Sequence, residues 1–404
     1  MRRLLAAGTA IVLTVGLGTV STSAPGPTPS TNWIGTWATA PSAGVRGTEA
    51  GYPNYSIRNV VHTSVGGHGV RVRLSNAFGT APLTLGRVTV AVSADPSGPR
   101  AVAGSMRELT FGGAGTTVVP AGAEVLSDPV RLRVPEDGDL LVTTYTPTPS
   151  GLVTYHPLAR QTSFFTRAGD FAAEESGASF VERTKAWHYV SGVDVQGAPT
   201  SRAVATLGDS ITDGFASTEG ANQRWPDLLS DRMIAEGRRH GVLNAGISAN
   251  RLLLDEPGDP SGRNALARLD GDALSRSGVG TLIVLEGIND IQQTPHQTDP
   301  AVIIAAYRQI IAQTHARGIR VVGGTLTPFK GWMVYDETLE ATRQAVNTFI
   351  RTSGAFDAVI DFDLAVRDPA DPQRLLPAYD SGDHLHPGDA GYQAMADAVD
   401  LARL

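Results

Sequence analysis

At 404 residues the chain is long enough for two domains with ample apolar core. Hydrophobic residues make up 41% and charged residues 18%, which excludes a disordered chain; a net charge of −7 and a pI near 5.7 argue against nucleic acid, whose phosphates call for a basic face. With no cysteine, neither a disulfide framework nor a lipid-anchored cysteine is open to it.

In chain order, the first residues address compartment. Met1-Arg2-Arg3 is a basic start, Leu4 to Val20 is apolar with small residues, and Ser21 to Pro29 is a polar, proline-rich exit. That order predicts a secretory signal peptide over 1–24, followed by a Pro/Ser/Thr-rich linker over 25–32. A retained membrane anchor is the alternative, but the apolar run falls short of the about 20 residues a span needs. The expectation is a secreted, extracellular protein with no stable membrane insertion.

From Trp33 to about Gln196 the pattern has period two. Val70-Arg-Val-Arg-Leu74 and Val130-Arg-Leu-Arg-Val134 alternate apolar and charged residues, as half-buried strands do, and their arginines read as a solvated strand face. Further strands are expected at Tyr55–Val65, Leu83–Val92, Leu140–Thr146, Gln161–Thr166 and Trp187–Val195, separated by glycine- and proline-rich turns. Many short strands with such turns predict a β-sandwich, jelly-roll-like, over 33–196. His62, His68, His156 and His188 show no ligand spacing and read as loop or packing histidines. Trp33 and Trp37 admit a sugar-stacking reading, with packing of the chain onto the sandwich as the plainer one.

After a short linker at Gly197–Ser201 the pattern becomes strand, helix, strand, helix. Strands are expected at Ala203–Leu207, Val242–Ala245, Gly280–Leu285, Ile319–Gly323 and Ala358–Phe362. Helices are expected at Arg224–Glu236, Arg263–Ser275, Pro300–Arg317, Glu337–Thr352 and Asp389–Leu401. Uninterrupted apolar strands alternating with helices predict an α/β domain over 202–404, with a parallel five-stranded sheet in a flavodoxin-like three-layer arrangement. Its strands end in Gly-Asp-Ser210, Asn244-Ala-Gly-Ile-Ser-Ala-Asn250, Glu286-Gly-Ile-Asn-Asp290 and Thr325-Leu-Thr-Pro328. Asp380-Ser-Gly-Asp-His-Leu-His-Pro-Gly388 precedes the last helix. A serine, a glycine, an asparagine and an Asp/His pair therefore fall on one edge of the sheet.

These four blocks, in this order, resemble the SGNH (GDSL-type) hydrolase superfamily; the match runs from Ala203 to the C-terminus. The resemblance implies Ser210 as nucleophile, His386 as general base and then acid, and Asp383 as the group that orients His386. An imidazole, with an ordinary pKa of about 6.5, suits both duties near neutral pH. It also implies an oxyanion hole of the Ser210 and Gly246 amides and the Asn289 side chain. Two departures are visible: Ile211 where the name-giving motif often has Leu, and Ala249 where the second block often carries a further Gly. The β half resembles, more loosely, the appended domain of some secreted members.

The function these readings imply is a secreted serine esterase cleaving short-chain O-acyl esters, acetyl above all, through an acyl-enzyme, with acetylated polysaccharide or lipid as the substrate carrier. Lipase or lysophospholipase activity and acyl transfer are the alternatives within the family. A non-catalytic carbohydrate-binding protein is the alternative outside it. Arg251 and Trp332 are weak candidates for a substrate rim. Asp209 is expected to order the turn and Asp290 to cap a loop. Asp383-His384-Leu-His386 permits a metal reading, but no other strand end supplies the remaining ligands, so no metal and no cofactor are expected. A monomer is expected.

Overall fold

The computed structural model describes residues 32–197, 201–255 and 261–404. The expected signal peptide and nearly all of the linker after it lie outside the described residues. The parallel sheet runs Gly241–Gly246, Ala203–Gly208, Val279–Leu285, Arg320–Gly324, Ala358–Ile360, so the first strand in sequence sits second in space. Every neighbouring pair is parallel, and Gly208 registers with Gly246 on one side and Leu285 on the other. The strand Ala203–Gly208 is buried at all six positions, which its apolar and small residues allow because helices cover both faces. The sheet order reverses beside this strand, and beyond its carboxyl end is where sheets of this kind bind ligands.

The flanking helices form where amphipathic patterning and caps agree. The helix Glu337–Thr352 has the predicted limits, and its cap, Asp336, accepts from the Thr338 and Leu339 amides. The element expected at Arg263–Ser275 is instead an α-helix over Ala265–Leu269 that widens into a π-turn over Asp270–Leu274. The last helix stops at Asp397, and the chain turns again as a 3₁₀ segment at Leu401–Arg403, capped by Asp400.

The β-rich part holds two larger antiparallel sheets. One orders Trp33–Ala38, Val190–Gln196, Gly67–Ser75 and Val130–Val134, with Glu124–Leu126 also paired to Gly67–Ser75. The other orders Glu182–Thr184, Ser163–Phe165, Tyr55–Thr63, Gly138–Thr146, Arg87–Val92 and Arg107–Glu108. One hydrophobic cluster draws Val70, Val72 and Val193 from the first and Ile57, Val90 and Val142 from the second. Two expected strands are each split in two. Tyr189 takes φ 61 and separates Trp187–His188 from Val190–Gln196, and Gly86 separates Leu83–Leu85 from Arg87–Val92. The strand arginines are not simply solvated: Arg71 donates to Asp194 at 2.9 Å and to Ser277, in the α/β part, at 3.1 Å. Trp37 is buried against Trp187, with ring centres 5.0 Å apart and edge to face, which makes it a packing residue.

The β-rich and α/β parts meet along the strand Trp33–Ala38, which lies against Gly241–Gly246. Glycines make this approach possible. A Cβ on Gly241 would strike the carbonyl oxygen of Gly35, and a Cβ on Gly35 would lie 2.7 Å from the side chain of Leu243. Ala203 and Leu243 of the parallel sheet accordingly belong to the β-rich part's hydrophobic cluster. Among the described residues, no helix is long and apolar enough to cross a membrane.

Candidate active site

The strand Ala203–Gly208 ends at the carboxyl edge of the sheet, and the chain enters a single helical turn, Ser210–Asp213. Asp209 caps it: its Oδ1 accepts the Ile211 amide at 2.9 Å, and Gly214 closes the turn at φ 92. This places Ser210 at the first helical position, with its amide pointing out of the helix rather than into it. Burial pushes the Asp209 pKa up to about 7, Asp290 adding to the rise. Asp209 thus does the turn-ordering expected of it.

Ser210 Oγ lies 2.8 Å from His386 Nε2, and His386 Nδ1 lies 2.6 Å from Asp383 Oδ2. The other oxygen of Asp383 accepts the Leu385 and His386 amides, each at 2.9 Å, so the acid and the ring are fixed by one tight loop. Burial works to raise the Asp383 pKa. The His386 ring and the two amides outweigh it and hold the carboxyl well below the usual carboxylate range. His384 turns elsewhere, to Asp380 at 2.6 Å, from a backbone at φ 69. Among the described residues, no group of three or more His, Cys, Asp or Glu is placed to hold a metal ion.

Asn289 sits in the short helix Ile288–Gln292, with both ends of its amide fixed. Its Nδ2 donates to the Asn250 carbonyl at 2.9 Å, and its Oδ1 accepts from Gln292 Nε2 at 2.7 Å. Gln292 in turn accepts from Trp332 Nε1 at 2.9 Å. One Nδ2 hydrogen is left over. Trp332 therefore stands at the site, its ring 6.2 Å from that of His386, while Phe215 lies 4.4 Å from the same ring.

Gly246 and Arg251 occupy places other than those expected. The Gly246 amide donates to its own loop, to Asn244 Oδ1 at 2.8 Å. What demands a glycine there is the Ser210–Asp213 turn, because a Cβ would run into the backbone nitrogen of Asp213. Ala249, three residues on, holds φ 62, and neither its amide nor that of Ser210 has a hydrogen-bond partner among the described residues. Arg251 is 1% exposed, and its guanidinium donates to the Pro295 carbonyl at 2.6 Å, so it holds a loop from within instead of lining a rim. Asp290 does cap that region, accepting the Leu252 and Leu253 amides at 2.7 and 3.0 Å. No pattern in the sequence marks Phe215 or Gln292, whose parts depend on contacts that no local motif encodes.

The GDSL-like Lipase/Acylhydrolase family matches residues 206–394, the segment that carries all of these loops. That segment is a GDSL-like lipase/acylhydrolase domain. It is a carboxylic ester hydrolase of the GDSL/SGNH type. No curated protein sequence matches the chain. Among solved structures, it is similar to an aryl esterase of M. smegmatis, 18% identical, covering 49% of this chain and 95% of that one with a TM-score of 0.40. It is also similar to a carbohydrate acetylesterase of Sinorhizobium meliloti, 16% identical over 49% of this chain and 95% of that one, TM-score 0.39. A third, a lipase/acylhydrolase of Enterococcus faecalis, is 19% identical over 49% of this chain and 92% of that one, also with TM-score 0.39.

Proposed function

We propose that the protein is a secreted serine esterase that cleaves short O-acyl esters through an acyl-enzyme on Ser210. The observation that carries this reading is the unbroken run of hydrogen bonds from Ser210 Oγ through His386 to Asp383. Ser210 Oγ attacks the acyl carbon while His386 Nε2 takes its proton; Asp383 steadies the imidazolium. Collapse of the tetrahedral intermediate breaks the acyl–oxygen bond, and His386 returns the proton to the leaving alcohol. Water then repeats the sequence on the acyl-enzyme and releases the carboxylate. The developing oxyanion needs donors that are not already engaged. The Ser210 amide, the spare Asn289 Nδ2 hydrogen and the Ala249 amide meet that need, with Ala249 in the place first assigned to Gly246.

Phe215 and Trp332 beside the His386 ring narrow the approach and favour a small acyl group. Acetylated polysaccharide is the carrier this reading favours, on the export expected of the chain and a sugar-binding part for its β-rich region. In the same reading the α/β part is a flavodoxin-like three-layer domain and residues 33–196 are a jelly-roll-like accessory sandwich. Rates on p-nitrophenyl esters from acetate to palmitate test it. Ser210→Ala and His386→Ala are expected to lose about 10⁴-fold or more in kcat, with acetate the best substrate of the wild type. Hydrolysis that survives in Ser210→Ala sinks the mechanism, and a preference for palmitate overturns the short-acyl reading.

A further inference from the structure

We propose that His156, from the β-rich part, is a positioning residue for this site, acting through Asp213 on the loop that carries Ala249. His156 ends the strand Thr154–His156 and is 2% exposed. Its ring nitrogens meet only acceptors: Nδ1 the Ala40 carbonyl at 2.9 Å, and Nε2 both Asp213 Oδ1 at 3.0 Å and the Leu158 carbonyl at 3.3 Å. A ring so placed carries two protons and a positive charge. Burial pulls its pKa down, yet Asp213 and the two carbonyls outweigh burial and leave it raised.

Asp213 is the last residue of the turn that Ser210 begins, and it is 3% exposed. Oδ1 accepts a hydrogen bond from His156 Nε2, and Oδ2 accepts from both the amide of Ser248 at 2.9 Å and its hydroxyl at 2.8 Å. All three partners donate, so only the ionised carboxylate satisfies them. A buried carboxylate needs a countercharge, and His156 is the cation in contact with it. Ser248 directly precedes Ala249, and the carbonyl of Asn250 receives Asn289 Nδ2. One buried ion pair thereby ties the nucleophile's turn to the loop that carries the Ala249 amide and anchors Asn289. The β-rich part contributes a charge to the catalytic edge as well as a surface to pack on.

This inference rests on the esterase reading, so Ser210→Ala is assayed alongside: activity surviving there breaks that reading, while the variants below test the coupling itself. His156→Gln keeps a donor but loses the charge. On p-nitrophenyl acetate it is expected to lose about 10–100-fold in kcat, with KM within about twofold of wild type and cooperative unfolding retained. Ser248→Ala leaves the ion pair intact and is expected to lose about 3–10-fold in kcat. The double variant is expected to lose less than the product of the two, because both act on one link. A folded His156→Gln with wild-type kcat, or losses that multiply, overturns the proposal. If His156→Gln does not fold, Ser248→Ala decides: a kcat within twofold of wild type overturns the proposal, and the expected loss supports it.

Discussion

Two regions of the described chain treat their polar groups differently: the strands around Arg58 and Asn59, and the carboxyl edge of the parallel sheet. In the strand core of the β-rich part, Arg58 and Asn59 are bound internally. Arg58, fully buried in a strand, donates to Thr143 Oγ1 and to the Pro99 and Glu174 carbonyls and lies 4.0 Å over the ring of Phe180. Asn59 exchanges two hydrogen bonds with the backbone of His188. At the carboxyl edge of the parallel sheet, the Ser210 and Ala249 amides have no partner among the described residues, and Asn289 keeps a hydrogen in reserve. Interiors leave few donors unmet because each costs about 1–3 kcal/mol when buried. Donors left open together at one edge of the sheet are therefore a mark of a site awaiting a ligand, and the closed networks of the other part are a mark of scaffold.

If that contrast holds, a cut in the scaffold changes stability and leaves the rate alone. Phe164→Ala, in a cluster with Val60 and Phe180, is expected to cost about 3–5 kcal/mol in urea unfolding, with kcat of the folded protein unchanged. A rate that fell with it would blur the division. The converse cut is Asn289→Ala, which is expected to lower kcat of the folded protein about 10²–10³-fold and to cost about 1–3 kcal/mol in unfolding, because Gln292 and the Asn250 carbonyl lose a buried partner. A loss below about threefold would show that the spare amide hydrogen goes unused.

A smaller effect separates two histidines of the scaffold. Burial drives the pKa of His188 down to about 3, and its Nδ1 has no hydrogen-bond partner among the described residues, whereas His156 is held charged. The unfolded imidazole titrates near the ordinary value of about 6.5, so between there and about 3 the unfolded chain takes up a proton that the folded chain refuses. Stability from this group is complete above that window and falls through it, by about 1.4 kcal/mol per pH unit. His188→Phe is expected to flatten that fall, read as the difference in urea midpoint between pH 7.5 and 4.5. An unchanged difference would show that His188 is not the source.

How far the site was legible follows from how local each signal is. Ser210, Asp383 and His386 lie in short motifs at strand ends or just before a helix, where spacing alone brings acid to base, and the parallel strands showed as continuous apolar runs. Gly246 reads in the sequence as an oxyanion donor, because a sequence shows a glycine but not its reason, here the backbone of Asp213 pressing on it. Arg251 looked like a loop arginine, and only its carbonyl partners around Pro295 show that it is buried. His156 meets Asp213 across 57 residues, between parts of different strand pattern, so no periodicity pairs them. The helix predicted through Asp270 failed at Asp270-Gly271, where the ladder widens into a π-turn.

The mildest test falls at the outermost link of the open edge. Trp332 Nε1 donates to Gln292 Oε1, and Gln292 Nε2 donates to Asn289 Oδ1, which leaves the nitrogen end of Asn289 aimed away from Gln292. Trp332→Phe keeps an aromatic ring beside His386 but removes the first donation. Gln292 can then rotate its amide, and a rotated amide would present an oxygen to Asn289 instead of a donor. The expected loss is that of one neutral hydrogen bond, about 0.5–1.5 kcal/mol, or roughly 2–12-fold in kcat. It should vanish in an Asn289→Ala background, since no amide is then left to orient. A loss that persists there would assign Trp332 to contact with the substrate and not to the alignment of Asn289.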